Sequence, residues 1–434
     1  MARSTGLTFW GLVGATMVAL KLKENWGDYQ RVSPEEGGVG PVALHSPVDD
    51  DDDAMSTFDT SIPTARPKRK RDCCVCCGLR CGLFWKAFGI VCLLFVGWNA
   101  IKFVIWMVTP SPTGLEGMPQ FSSSLGCSNA VHIYNGSELT YAVPFDESLA
   151  SHSMYIDGTA VGTVTFVEGG PRLTEIGYQL LLRSSDAALL DSIILQYPTE
   201  SEVKDGLSPS RMRLTTPPSS PSSCMRYDLV IYVPPALKQL EIQSNSVTQL
   251  QFNKESVFDL NSLTLTLAAA DEKNMILPHQ NVRAGQLSFE LTRGWLVGDV
   301  AIVDKTSLSA KRGDATMNVH VHPVSSAAEP PAVAELVTTT GSGRTDVFYI
   351  NDPGFPHRPI NSMHRTTRSG DVYLTYKQAE FRGTVDLQAK SYSATGLQNS
   401  VRKSGSGELP WVGDKDGGDN MVISSPNSWV GLYF

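Results

Sequence analysis

The chain has 434 residues, a formal charge of −8 and a pI near 5.5. That acidic balance argues against the basic surface of a nucleic-acid binder, so no nucleic-acid partner is expected. Charged residues make up only 18%, and 37 Gly and 26 Pro accompany abundant Ser and Thr; this composition fits a secreted-type β protein better than a helical one.

Near the N-terminus, residues Leu7–Leu20 form an apolar run behind Arg3. Three readings stay open: the core of a signal peptide, a second membrane-associated segment, or an artefact of the gene's start. From about Asn25 to Arg66 the chain has few large apolar residues, several glycines and the acidic run Asp49–Asp53, and is expected to be disordered. A basic stretch (Arg66, Lys68, Arg69, Lys70, Arg71) and the cluster Cys73, Cys74, Cys76, Cys77 and Cys81 follow. Consecutive cysteines with no nearby His do not form a zinc knuckle. Beside basic residues and a bilayer they are candidates for S-palmitoylation, with unmodified thiols as the plain alternative.

Residues Phe84 to Val108 are predicted to cross a bilayer, because the run is apolar over about the 20 residues a spanning helix needs. Trp85 and Trp106 bracket it, as indole rings favour both interfaces. Asn99 and Lys102 interrupt it; Lys102 can snorkel outward, and the alternative is a polar contact with a partner helix. Lys and Arg crowd the N-terminal flank, and none follows the run until Arg172. The positive-inside rule therefore predicts a cytosolic N-terminus and an extracytosolic C-terminal part, in the plasma membrane or secretory pathway. Thr109 to about Leu125 is rich in Pro, Ser and Gly and reads as a stalk. Beyond it lie only Cys127 and Cys224, a candidate disulfide in an oxidising compartment. Asn135-Gly136-Ser137 is a candidate N-glycosylation sequon.

The rest reads as short β runs between turn residues. Thr159–Val167 and Tyr227–Val233 are rich in β-branched and aromatic residues. Residues 199–224 contain TTPPSSPSS and are expected to form a mobile loop. Leu263–Leu267 and Leu287–Leu291 alternate apolar and polar side chains, as half-buried strands do. A turn device then recurs, as Gly298-Asp299-Val300, Arg312-Gly313-Asp314-Ala315, Gly343-Arg344-Thr345-Asp346-Val347, Ser369-Gly370-Asp371-Val372 and Arg382-Gly383-Thr384-Val385. Gly supplies turn geometry, Asp bonds local backbone, and the next apolar residue returns to the core. At these residues, from about Leu229 to Ala394, the chain resembles the adhesin-like β-solenoid domains of unknown function found in single-pass membrane proteins of fungi. The resemblance implies a β-rich surface domain and carries over no catalytic residue.

The expected organisation is a disordered tail with its basic, Cys-rich collar (1–82), one transmembrane helix (83–108), a stalk (109–125), a mainly β ectodomain (126–400) and a Gly/Asp-rich tail (401–434). The ectodomain is expected to be a repetitive β-solenoid or a two-sheet sandwich. Arg312-Gly313-Asp314 spells an adhesive tripeptide but belongs to the turn series. His320 and His322 share one face of a strand and would need a third ligand to hold a metal. His357 and His364 fall in a Pro- and Arg-rich loop with no nucleophile motif. No catalytic, metal or cofactor residue is therefore assigned. Expected partners are the lipid bilayer and a cell-wall component, a glycan or another surface protein. The alternative is a glycan-active enzyme on a β-solenoid, which would need paired carboxylates.

Overall fold

The computed structural model describes residues 9–29, 75–76, 79–108 and 113–434, apart from 147, 219, 221–222, 311–312, 327 and 400–408. The chain divides into two compact units, Met1–Ser111 and Pro112–Phe434.

Among its described residues the first unit holds two helices, α1 (Phe9–Tyr29) and α2 (Cys81–Val108). Within α2, Phe84–Val104 is long and apolar enough to cross a membrane, with a mean hydropathy of 1.9. α1 contains most of the shorter apolar run. Its Val13, Met17 and Leu20 cluster with Phe84, Ala87, Phe88 and Val91 of α2. The polar interruptions of α2 are satisfied inside it. Asn99 Nδ2 donates to the Phe95 carbonyl at 2.8 Å, and Lys102 Nζ lies 5.6 Å from the Trp98 ring centroid. Cys76 falls in a two-residue strand, Val75–Cys76, paired with Leu79–Arg80, and Cys81 opens α2. Cys73, Cys74, Cys77 and most of the expected disordered tail lie outside the described residues.

The second unit is mainly β. Alternating strands stack into two parallel ladders. The first runs through Arg211–Thr215, Ser151–Asp157, Gln239–Ser244, Phe258–Leu267, Val282–Leu291, Lys305–Ser309, Ala334–Thr340 and Ile360–Thr366. The second begins with Ile176–Ser184 antiparallel to Met225–Val233. It continues in parallel through Val161–Glu168, Thr248–Phe252, Met275–Leu277, Trp295–Ile302, Thr316–Pro323, Thr345–Ile350 and Val372–Gln378. From Gln239 to Gln378 successive strands alternate between the ladders. Asp419–Tyr433 pairs with both, and Gly383–Thr395 lies outside it as the terminal strand.

Period-two alternation turns every second side chain inward, and both ladders feed one core cluster. Register stacks these positions into columns. Met212, Met154, Ile242, Leu265, Phe289, Leu308, Thr338, His364 and Ile423 follow one another along the first ladder. Three stretches differ from the sequence-based expectation. Arg211–Thr215, placed in a mobile loop, is a strand because Met212 and Leu214 alternate into the core, both 0% exposed. Asp419–Tyr433, placed in a tail, is a 15-residue strand. The stalk from Thr113 onward folds back onto the second ladder, as described below.

Sharp corners connect the first ladder to the second, and Gly313, Gly343 and Gly370 of the turn series sit there for want of space; Gly298-Asp299, read from sequence as a turn, lies instead inside the strand Trp295–Ile302. A Cβ on Gly341 would meet the Gly313 carbonyl at 2.1 Å, and one on Gly370 the Gly343 carbonyl at 2.2 Å. Buried hydroxyls line the same corners. Thr340 Oγ1 donates to Thr345 Oγ1 at 2.8 Å, Ser244 and Thr248 share a bond of 2.6 Å, and Thr366 bonds Ser425 at 3.0 Å.

The opposite turns vary in length, from two residues between Ile302 and Lys305 to ten between Pro323 and Ala334, and several are gathered by Arg358, which is 4% exposed. Its guanidinium donates to five backbone carbonyls: Ala332, Ile302, Val324, Val303 and Val333. No carboxylate is within hydrogen-bonding distance among the described residues. Arg358→Ala would leave these carbonyls without their common donor. We expect it to lower unfolding stability by about 3 kcal/mol, measured by denaturant unfolding of the full chain in detergent; Arg358→Lys should recover only a part, because one ammonium cannot span the same fork.

Among the described residues, two histidines are buried in the core. His152 is held between Ser210 Oγ at 2.7 Å and Tyr178 OH at 2.5 Å; His364 lies between Thr338 Oγ1 at 2.8 Å and Tyr376 OH at 3.1 Å. Burial pushes each imidazole down to about 3, so both fold as neutral rings. The unfolded chain binds these protons first, near pH 6.5. The stability is therefore complete above that pH and is lost as pH falls toward 3. Each histidine should contribute a slope of about 1.4 kcal/mol per pH unit across this window, and His364→Gln should remove one of the two slopes in denaturant unfolding between pH 7.5 and 4.5.

Candidate ligand-binding face

The same register that stacks the core aligns the outward side chains. On the second ladder, Asp299 is opposite His320, which is opposite Phe348; Asp346 is opposite Tyr373. Asp299 Oδ1 lies 3.3 Å from His320 Nδ1 and 3.5 Å from His322 Nε2. Burial lowers the His322 pKa from its ordinary value, and the Asp299 carboxylate opposes that shift. The His320 ring packs on Phe348 with centroids 5.0 Å apart. Further along, the Arg344 guanidinium lies 4.0 Å from the Tyr373 ring centroid, and Tyr373 meets Trp429 at 4.8 Å. Arg344 also grips Asp346 with two bonds of 2.7 Å, which raise the arginine's pKa. Burial raises the Asp346 carboxyl, with Arg344 opposing. The result is two partly exposed groups on one face of the second ladder, the imidazoles with Phe348 and, two residues along the strands, the stacked Arg344, Tyr373 and Trp429.

A strap formed by Thr113–Leu125 borders this face. Its path starts beside Arg344, where Gly114 has φ 79 and a Cβ would meet Arg344 Nε at 2.9 Å. Asn318 Nδ2 donates to the Thr113 carbonyl at 3.2 Å. Gln249 accepts from Ser122 N at 2.5 Å and donates to Ser124 Oγ at 2.9 Å. Arg226, 3% exposed, donates to the carbonyls of Ser122 and Gly126 while its other edge holds Asp228. Asp228 also takes Arg183, so one carboxylate is shared between two guanidinium groups. Next to this anchor Cys127 and Cys224 are joined by a disulfide, with Cα atoms 5.9 Å apart. Asn135 is exposed on a short turn.

A second polar cluster lies at the long turns. His357 Nε2 is 3.1 Å from Asp419 Oδ1, and its Nδ1 faces Asn351 Nδ2 at 3.0 Å. Asp419 also accepts from the backbone N–H of Ile360 and Arg382. With both ring nitrogens engaged, His357 has no free lone pair with which to take a substrate proton. The adjoining cavity, lined by Asn351, Phe355, His357 and Glu380, encloses about 110 Å³, well below the usual size of a small-molecule pocket.

His320 and His322 therefore share a face, and the acidic neighbour that sequence reasoning missed is Asp299. It lies on a different strand, so only the ladder register brings it near. No metal-binding cluster occurs among the described residues. His364 is in a buried strand rather than a loop, because it follows Thr338 in the core column. In the adhesive-type tripeptide, Arg312 lies outside the described residues, Gly313 packs under the Thr292 carbonyl and Asp314 lies 3.2 Å from Arg293 Nε.

No family model and no curated protein matches the chain. Among solved structures, one described as a putative cell adhesion protein from Clostridium sporogenes ATCC 15579 is similar at 11% identity and a TM-score of 0.22. It covers 68% of this chain and 98% of its own. So distant a likeness carries no argument about fold or function.

The electrostatics of the face are testable by themselves. Asp299→Asn removes the carboxylate that favours protonated His322, so the His322 titration should move to lower pH, as followed by imidazole NMR shifts. An unchanged titration would mean that Asp299 does not govern the imidazole.

Proposed function

We propose that the chain is a single-pass type II membrane protein whose second unit is a β-solenoid that binds a glycan or a protein at the cell surface. The observation that carries this reading is the stack of Arg344, Tyr373 and Trp429 on the same ladder face as Phe348, Asp299, His320 and His322. Aromatic rings offer large contact area with few rotatable bonds, and a stacked guanidinium adds polar recognition at small entropic cost. Repetition of one corner and two ladder strands per rung supports the solenoid reading. The uneven distribution of Lys and Arg about α2 supports a cytosolic N-terminus. A disulfide between Cys127 and Cys224 suits an oxidising compartment on the other side. The collar of Cys73, Cys74, Cys76, Cys77 and Cys81 is proposed to carry acyl chains on the inner leaflet.

In right-side-out vesicles, external trypsin should digest the part beyond α2 and leave an epitope tag at the N-terminus protected; the reverse pattern removes the orientation. The full chain in nanodiscs should then bind components of a glycan array or of intact cell surfaces. Tyr373→Ala combined with Trp429→Ala should weaken that binding about tenfold or more. Equal binding by a folded double variant would exclude this face as the site.

A further inference from the structure

At the first end of the second ladder, the strand line outside Ile176–Ser184 runs in two pieces. His132–Ile133 and Leu139–Val143 both pair antiparallel with Ile176–Ser184. Ile133 is opposite Arg183 and Leu139 is opposite Leu180, so residues 134–138 have only Leu181 and Leu182 across from them. The surplus chain cannot stay in the sheet and is thrown outward as a short turn, Tyr134–Gly136. Tyr134 holds the turn by packing against the core. Asn135 and Gly136 take the left-handed conformation, with φ 51 and 72, which Asn and Gly tolerate better than other residues. Asn135, Gly136 and Ser137 are all exposed, and neither the Asn135 amide nor the Ser137 hydroxyl has a hydrogen-bond partner among the described residues.

Beside the turn lies an open groove of about 580 Å³, lined by Asn135 itself and by Val131, His132, Ile133, Leu190 and Asp191. Val131 is 76% exposed and Ile133 41%, so two branched apolar side chains meet solvent with polar groups between and beside them. Sugar rings carry the same mixture, with C–H faces and hydroxyl edges. We propose that Asn135 is N-glycosylated and that the first sugars of its glycan lie in this groove, over Val131 and Ile133. In the transfer, Asn135 Nδ2 bonds the anomeric carbon of a lipid-linked oligosaccharide. The bond from that carbon to the pyrophosphate oxygen breaks, the lipid pyrophosphate leaves, and the amide gives one proton to solvent. The Ser137 hydroxyl completes the acceptor motif. A glycan rooted here also stands on the outermost strand line of the ladder, where its bulk opposes pairing with a further strand. The proposal rests on the extracytosolic placement of the second unit given above, since the oligosaccharide donor is used only on that side of the membrane.

The test uses the full chain made in eukaryotic cells and digested with a peptide N-glycosidase. The parent should lose one mobility step on a gel, and Asn135→Gln and Ser137→Ala should each lack that step before digestion. Ser137→Thr should keep it, because either hydroxyl completes the motif. A second acceptor separates this proposal from the orientation: Glu255→Thr makes Asn253-Lys254 the start of a sequon on another turn. Glycosylation through Glu255→Thr but not at Asn135 would overturn the proposal and leave the orientation standing. Glycosylation at neither would overturn both. A cysteine probe reads the groove. Ile133→Cys should react with maleimide about fivefold faster when Ser137→Ala is added, because the covering sugar is gone. Mass mapping in detergent reports labelling at residue 133 and the intact Cys127–Cys224 bond, and circular dichroism reports folding. An equal rate in the two folded proteins would remove the glycan from the groove, and with it the proposal.

Discussion

Register is the constraint on which the second unit depends. In a parallel ladder each strand aligns with a neighbour reached only after a second strand and two turns, and a slip of one residue turns its whole core set outward. Hydrophobic burial alone resists such a slip, but it does not choose between two apolar residues two places apart. The corners make that choice. Gly313, Gly341, Gly343 and Gly370 pack backbone on backbone, with no room for a Cβ, so each corner must sit above the last. The buried pairs Ser244–Thr248, Thr340–Thr345 and Thr366–Ser425 reinforce this, because a shifted strand would leave hydroxyl groups buried without partners.

The long turns solve the converse problem. They vary in length, so they cannot stack by shape. Arg358 replaces shape with chemistry by collecting carbonyls from Ile302, Val303, Val324, Ala332 and Val333. A guanidinium with five donors suits this role because its charge is spread and its geometry fixed. Asp419 acts in the same way with opposite polarity, accepting from Ile360, Arg382 and His357. The two groups bracket the same region of the ladders, and neither needs the other as a counter-ion.

The β character of this unit was legible in the sequence because alternation is local: Leu263–Leu267 and Leu287–Leu291 declare a face without reference to anything else. The corners at Gly313, Gly343 and Gly370 were legible for the same reason, and so was the apolar stretch within α2, whereas Gly298-Asp299 carries the same local signature and lies inside the strand Trp295–Ile302. What was hidden depends on pairing across distance. Arg211–Thr215 looks like part of a polar loop until Ser151–Asp157 is beside it. Asp299 gains a relation to His320 only through parallel pairing of two separate strands. His364 sits among polar and basic residues in sequence, yet register sets it on Thr338 inside the core. The order of the last two strands, with Asp419–Tyr433 inserted inside Gly383–Thr395, leaves no local trace, because either order satisfies the same alternation.

That inserted strand also separates the roles of the two ends. At the first end, the strap is fixed by Arg226, which spends its donors on Ser122, Gly126 and Asp228, and by the adjacent disulfide. This end is closed by side-chain chemistry as well as by short strands. At the other end, Asp419–Tyr433 bridges both ladders and fixes the corner through Ser425 and Ser428. Gly383–Thr395 can therefore remain terminal without being needed to hold the ladders together.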